Sequence, residues 1–87
     1  MQPLAQITSP EHDGRVKGPD VTITWSAPPA MCQEISIDGG PYDEVSPDDR
    51  SYAAEGLADG VHTVTVRVER GHGLLEASST FYVDIPA

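Results

Sequence analysis

Residues 57–68 read LADGVHTVTVRV. After the Asp-Gly pair the side chains alternate: Val64, Val66 and Val68 fall on one side, and Thr63, Thr65 and Arg67 on the other. A period of two belongs to a β-strand, whose successive side chains point to opposite faces. A helix would scatter both sets around its circumference, so this stretch is expected to lie in a sheet with one face buried. That face needs a second layer to cover it. The first position of the inward series is His62 rather than a valine.

The remaining chain supplies strands for such a layer. Short runs rich in Val, Ile and Thr alternate with turn signals, the pattern of an all-β sandwich. A first strand is expected over Leu4 to Thr8, then a bend through SPEHDGRVKGPD with a short half-strand at Arg15 to Lys17. DVTITWS follows, with Val21, Ile23 and Trp25 inward and Thr22, Thr24 and Ser26 outward; APPA ends it, because proline cannot continue a central ladder. CQEISID puts Ile35 and Ile37 inward and Glu34 and Ser36 outward, and the DGG at 38–40 turns the chain. PYDEV and SYAAEGL are weaker strands around the acidic SPDDR loop. RGHG is a hairpin loop, and LEASSTFYVDI closes the sheet with Ala77, Phe81, Val83 and Ile85 inward and Tyr82 outward. Ile7 and Leu57 complete the expected core. About seven strands result, arranged as one domain over residues 1–87.

Charge and composition narrow the chemistry. Fourteen acidic residues against five basic ones give a formal net charge of −9. Nucleic acid and anionic lipid are recognised by clustered Lys and Arg, and no such cluster exists, so neither partner is expected. No apolar run approaches the roughly 20 residues of a membrane-spanning helix, so no membrane insertion is expected. Cys32 is the one cysteine, which rules out an intrachain disulfide and leaves a structural or incidental thiol. Met1 precedes the first strand closely, without a signal peptide. That start fits an intracellularly made virion component or a domain of a secreted protein.

VTITWSAPP resembles the second strand of fibronectin type III-like sandwiches, where a core Trp precedes a Pro-rich turn. ISIDGGPY, LADGVHTVTVRV and the closing STFYVD resemble bacterial and phage immunoglobulin-like domains. The resemblance covers about residues 4–85 and implies a seven-stranded immunoglobulin-like or fibronectin type III-like β-sandwich. It further implies a spacer, an adhesive or carbohydrate-contacting module, or a decoration on phage capsids and tails. Some relatives bind calcium between the last two strands. Here that loop, ERGHGLLEAS, lacks the Asp and Asn oxygens such a site needs, so calcium is not carried over.

Reactive chemistry finds little support. His12 and His72 sit in loops rich in Gly and Asp and are expected to face solvent; His12 with Asp13 would be only half of a metal site. His62 begins its strand on the inward side, where sandwiches often place a Tyr whose hydroxyl bonds back to the loop before it. One ring nitrogen can do the same by donating to a backbone carbonyl, so His62 is expected to anchor that corner, and Trp25 to anchor the core. Asp43 with Glu44, and Asp48 with Asp49, are neighbours that a strand would point apart. No Gly-rich phosphate loop, G-x-S-x-G elbow or H-E-x-x-H motif appears. An isopeptide bond would need a buried lysine, and Lys17, the only one, sits in an edge-like RVKGP.

No catalytic residue, cofactor or metal is therefore expected. If the strands carrying Glu34, Arg67 and Tyr82 share a sheet, its outer face presents Glu34, Ser36, Thr63, Thr65, Arg67, Thr80 and Tyr82, with Glu34 and Arg67 able to pair. That face, with Tyr42, is the candidate surface for a protein partner or a glycan. The expected role is a structural or accessory module of a larger assembly on a virion, outside the cell or at its surface, with a virion decoration or tail protein slightly favoured. A carbohydrate- or host-binding module, and an ancillary domain of a secreted hydrolase, are the alternatives.

Overall fold

The computed structural model describes residues 5–71 and 73–85. Leu4 and His72, and what was expected of them, lie outside the described residues. Eight strands are present: β1 (Gln6–Ser9), β2 (Arg15–Lys17), β3 (Val21–Ser26), β4 (Cys32–Ile37), β5 (Asp43–Val45), β6 (Ser51–Ala54), β7 (Gly60–Glu69) and β8 (Leu74–Asp84). The count exceeds the expected seven because the half-strand β2 forms a ladder of its own, parallel to β8 through Val16 and Val83. One sheet runs β1-β3-β6 and the other β2-β8-β7-β4-β5. The chain crosses between them through the Pro- and Gly-bearing bend ahead of β2, so β1 and β2 edge different sheets.

Alternation in β3 and β7 builds the core. Ile23, Val64, Val66, Val68 and Val83 are wholly buried, and Val21, Trp25, Ile35, Ala54 and Phe81 nearly so. Each large apolar side chain contributes about 1.5–3 kcal/mol on burial, before entropy is set against it. Three expected core positions, Ile7, Ile37 and Leu57, are only partly buried at the margins of this cluster. Ile85 is a correction: it is 36% exposed, because β8 ends at Asp84 and carries it beyond the opposing layer. Ser36 is another: it points away from the core yet is buried, and its hydroxyl donates to the Gly40 carbonyl at 2.8 Å. That bond folds the turn after β4 over it. The turn has Asp38 and Gly39 at φ 56° and 74°, with Gly40 N–H donating to Ile37 O at 3.0 Å. Two successive positive φ values are what a tight hairpin turn of this hand requires.

Buried polar side chains close both ends of the sandwich. At one end Gln33, 1% exposed, accepts from Trp25 Nε1 at 3.1 Å and donates to the Ser46 and Asp49 carbonyls at 2.8 and 2.9 Å. Arg50 reaches the same Gln33 oxygen at 3.2 Å and donates to the carbonyls of Pro47, Asp49 and Pro28 at 2.8, 2.7 and 3.1 Å. The acidic loop is thereby pinned to the Pro-rich turn after β3. No buried side-chain nitrogen or oxygen lacks a partner among the described residues, as an interior of low dielectric demands.

β1 begins at this Trp25 end, where Gln6 pairs with Ser26. β8 finishes at the opposite end, where Asp84 pairs with Lys17 and Val83 with Gly60. The chain therefore runs in at one end and out at the other of a molecule 46 × 25 × 19 Å in extent.

Candidate functional site

The outer face of the five-stranded sheet gathers the residues singled out for it, because β4, β7 and β8 are neighbours in register. Glu44, Glu34, Arg67 and Glu76 form one row across four strands. Arg67 Nε donates to Glu76 Oε2 at 3.0 Å, while its Nη1 lies 3.7 Å from Glu34 Oε1. The guanidinium also rests over the Tyr42 ring, 4.4 Å from its centroid. The hydrogen bond to Glu76 and the negative groups around it hold Arg67 above its already high ordinary pKa. Thr65 follows, between Ser36 and Ser78. Thr63 and Thr80 are then joined hydroxyl to hydroxyl at 3.0 Å. Last comes Tyr82, opposite Val61 on β7 and Arg15 on β2. The Arg15 guanidinium lies 4.5 Å from the Tyr82 centroid, the distance of a cation–π contact.

This face engages its own polar groups. Arg67 bonds Glu76 and lies near Glu34, while Glu44 stands opposite Glu34; the Thr63 and Thr80 hydroxyls bond each other, and Tyr42 and Tyr82 each have one ring face covered by an arginine. Tyr52 lies elsewhere; its phenol donates to Asp43 Oδ2 at 2.9 Å, and that bond, with burial and the charges of Asp43 and Glu55, raises its pKa. The Arg67 row ends in an open groove of about 190 Å³ lined by Cys32, Glu34, Glu44, Glu69 and Leu74, among others. A second depression of about 340 Å³ adjoins it past Met31 and Val45. Among the described residues no histidine lines either depression beside the exposed Cys32 thiol. Among the described residues no three His, Cys, Asp or Glu side chains converge on a point where a metal ion could sit.

The two described histidines, His12 and His62, both bond the backbone. His12 is exposed, and its Nδ1 accepts the Thr80 N–H at 3.2 Å, so that ring nitrogen continues the edge of β8. His62 is 9% exposed, with Nε2 2.7 Å from the Ala58 carbonyl in the loop before its strand. That is the corner bond expected of it. Its other nitrogen was not anticipated to have a partner: Nδ1 lies 2.5 Å from Asp38 Oδ2, and Asp38 Oδ1 accepts the Thr63 N–H at 2.9 Å. The Ala58 bond, together with the bond to and charge of Asp38, raises the His62 pKa against the opposing effect of burial. Gln33, Arg50 and Asp38 went unnoticed because their partners are distant in sequence. The period of β4 did place Gln33 on the inward side, which was the one signal available.

No protein-family model and no curated protein matches the sequence. Solved structures match its fold. A fibronectin(III)-like module of CbhA from Clostridium thermocellum superposes with a TM-score of 0.74 at 18% identity, over 97% of this chain and 99% of that one. The endo-beta-1,4-mannanase from Thermotoga petrophila matches at a TM-score of 0.77 and 9% identity, over 99% of this chain and 20% of that one. An engineered protein matches at 0.76 and 17% identity, over 95% and 20%. This chain thus spans about a fifth of two of these chains and nearly all of the third.

Proposed function

We propose that this fibronectin type III-like sandwich is a non-catalytic accessory module that spaces or presents its neighbours in a larger extracellular assembly. The observation that carries the reading is the path of the chain, in at the Trp25 end and out at the His62 end. Such a module can be joined in line with others without bending the array. The fold neighbours support the reading, since one is a module and two are much longer chains with a matching segment. The outer face supports it too, because Arg67 and both tyrosines are engaged by neighbours on that face.

The face that carries Glu34, Thr63, Thr65, Arg67, Thr80, Tyr82 and Tyr42 is the proposed seat of a protein partner. The assembly is either a virion, in which the module decorates capsid or tail, or a secreted or cell-surface protein such as a hydrolase. A reading frame standing among capsid and tail genes would mark the first; a frame continuing into a catalytic domain would mark the second.

A carbohydrate-binding role competes with this reading, because Tyr42 and Tyr82 share one face. Affinity electrophoresis through soluble polysaccharides, with a glycan array, separates the two. The accessory role requires mobility unchanged by any polysaccharide and no array signal. Retardation that disappears in Tyr82→Ala or Tyr42→Ala would overturn it.

A further inference from the structure

We propose that His62, Asp38 and the Ala58 carbonyl form a proton-dependent latch that holds two loops together at the end of the sandwich where β8 finishes. The geometry demands a proton on each ring nitrogen. The Ala58 carbonyl can only accept, so Nε2, 2.7 Å away, carries a hydrogen. The Asp38 carboxylate accepts the Thr63 N–H on one oxygen and faces Nδ1 at 2.5 Å with the other. A neutral imidazole has one N–H and cannot serve both acceptors; the imidazolium serves both.

When the ring loses a proton to water, one of the two bonds must go. If Nε2 keeps its hydrogen, an Nδ1 lone pair is left facing a carboxylate, and Asp38 is repelled. The Asp38 backbone sits in the left-handed region beside Gly39, and its side chain holds the Thr63 N–H, so displacing it removes that tie and leaves the turn at 38–40 joined to β7 there by the Asp38 N–H to Thr63 O bond of 2.7 Å. If Nδ1 keeps the hydrogen, the loop before β7 loses its bond to the ring instead and keeps its ties to Pro19 and Ile85. Asp38 is the charged group set against the ring; the loop before β7 offers the neutral Ala58 carbonyl, and β8 offers the uncharged Phe81 ring, 6.3 Å between centroids. The latch therefore closes in mildly acidic to neutral solution and opens as pH rises.

The test is a nuclear magnetic resonance titration of the nitrogen-15-labelled protein, reading both His62 ring nitrogens and the backbone amides together. In the wild type the ring is expected to titrate above the ordinary histidine value of about 6.5. Both nitrogens should be protonated below the midpoint, and the Thr63 and Gly40 amides should shift with the same midpoint. Asp38→Asn keeps a side chain suited to positive φ while removing the charge. Its ring is expected to titrate back toward about 6.5, with the Thr63 amide no longer following. A wild-type midpoint at or below 6.5, amides that ignore it, or an Asp38→Asn protein indistinguishable from wild type would each overturn the latch.

Discussion

The Trp25 end and the His62 end are both closed by a buried polar side chain bonded to loops, but with different chemistry. Gln33 carries no titratable group, so the bonds it makes to Trp25, Ser46 and Asp49 are insensitive to pH. His62 reaches the same level of satisfaction only as a cation. One end of the module is thus held constitutively and the other conditionally. A sandwich of this size has little stability to spare, so the difference should be measurable.

The largest effect is expected at the constitutive end. Trp25→Ala should cost about 3–5 kcal/mol, as large core truncations do, and urea denaturation should find the domain largely unfolded. A folded variant would show that the inward face of β3 is misassigned. Gln33→Leu fills the space but leaves Trp25 Nε1 without its acceptor, while the Ser46 and Asp49 carbonyls each lose one donor and keep the Asp49 N–H and Arg50 respectively. It should cost about 1–3 kcal/mol, equally at pH 6 and pH 9, and a pH-dependent loss would break the contrast between the ends.

Gly18→Ala probes packing beside the conditional end. The added methyl would lie 2.5 Å from Cγ1 of the buried Val83, and overpacking of that kind costs about 1–3 kcal/mol. Thermal unfolding should read it as a lowered midpoint. Arg67→Ala touches neither end. Its ion pairs are solvent-exposed, where such pairs contribute little, and the unfolding midpoint should stay within error of wild type. A loss comparable to that of Gln33→Leu would make the outer face, not the ends, the determinant of stability.

Those contrasts also mark what could be read from residue order alone. The inward valines of β7, the β3 set around Trp25 and the pairing of Glu34 with Arg67 follow from a period of two and from the adjacency of their strands. The polar closures do not. Gln33 meets Arg50 across 17 positions and His62 meets Asp38 across 24, and no local rule forecasts either. The stacking of Arg15 on Tyr82 depends on β2 running parallel to β8, a pairing without a local signal. Ile85 was misplaced because alternation says nothing about where the covering layer stops.

The central difference between the ends is tested most directly by urea unfolding of the wild type and Asp38→Asn across pH 5 to 9. The folded-state pKa of His62 is raised. Its contribution is therefore fully present below the unfolded value of about 6.5 and is lost as pH rises through the folded value. The wild type should lose stability over that window, and Asp38→Asn, already weaker at pH 6, should show a flatter profile that meets it at high pH. Parallel profiles, or a wild type that gains stability with rising pH in the same window, would contradict a conditionally held end.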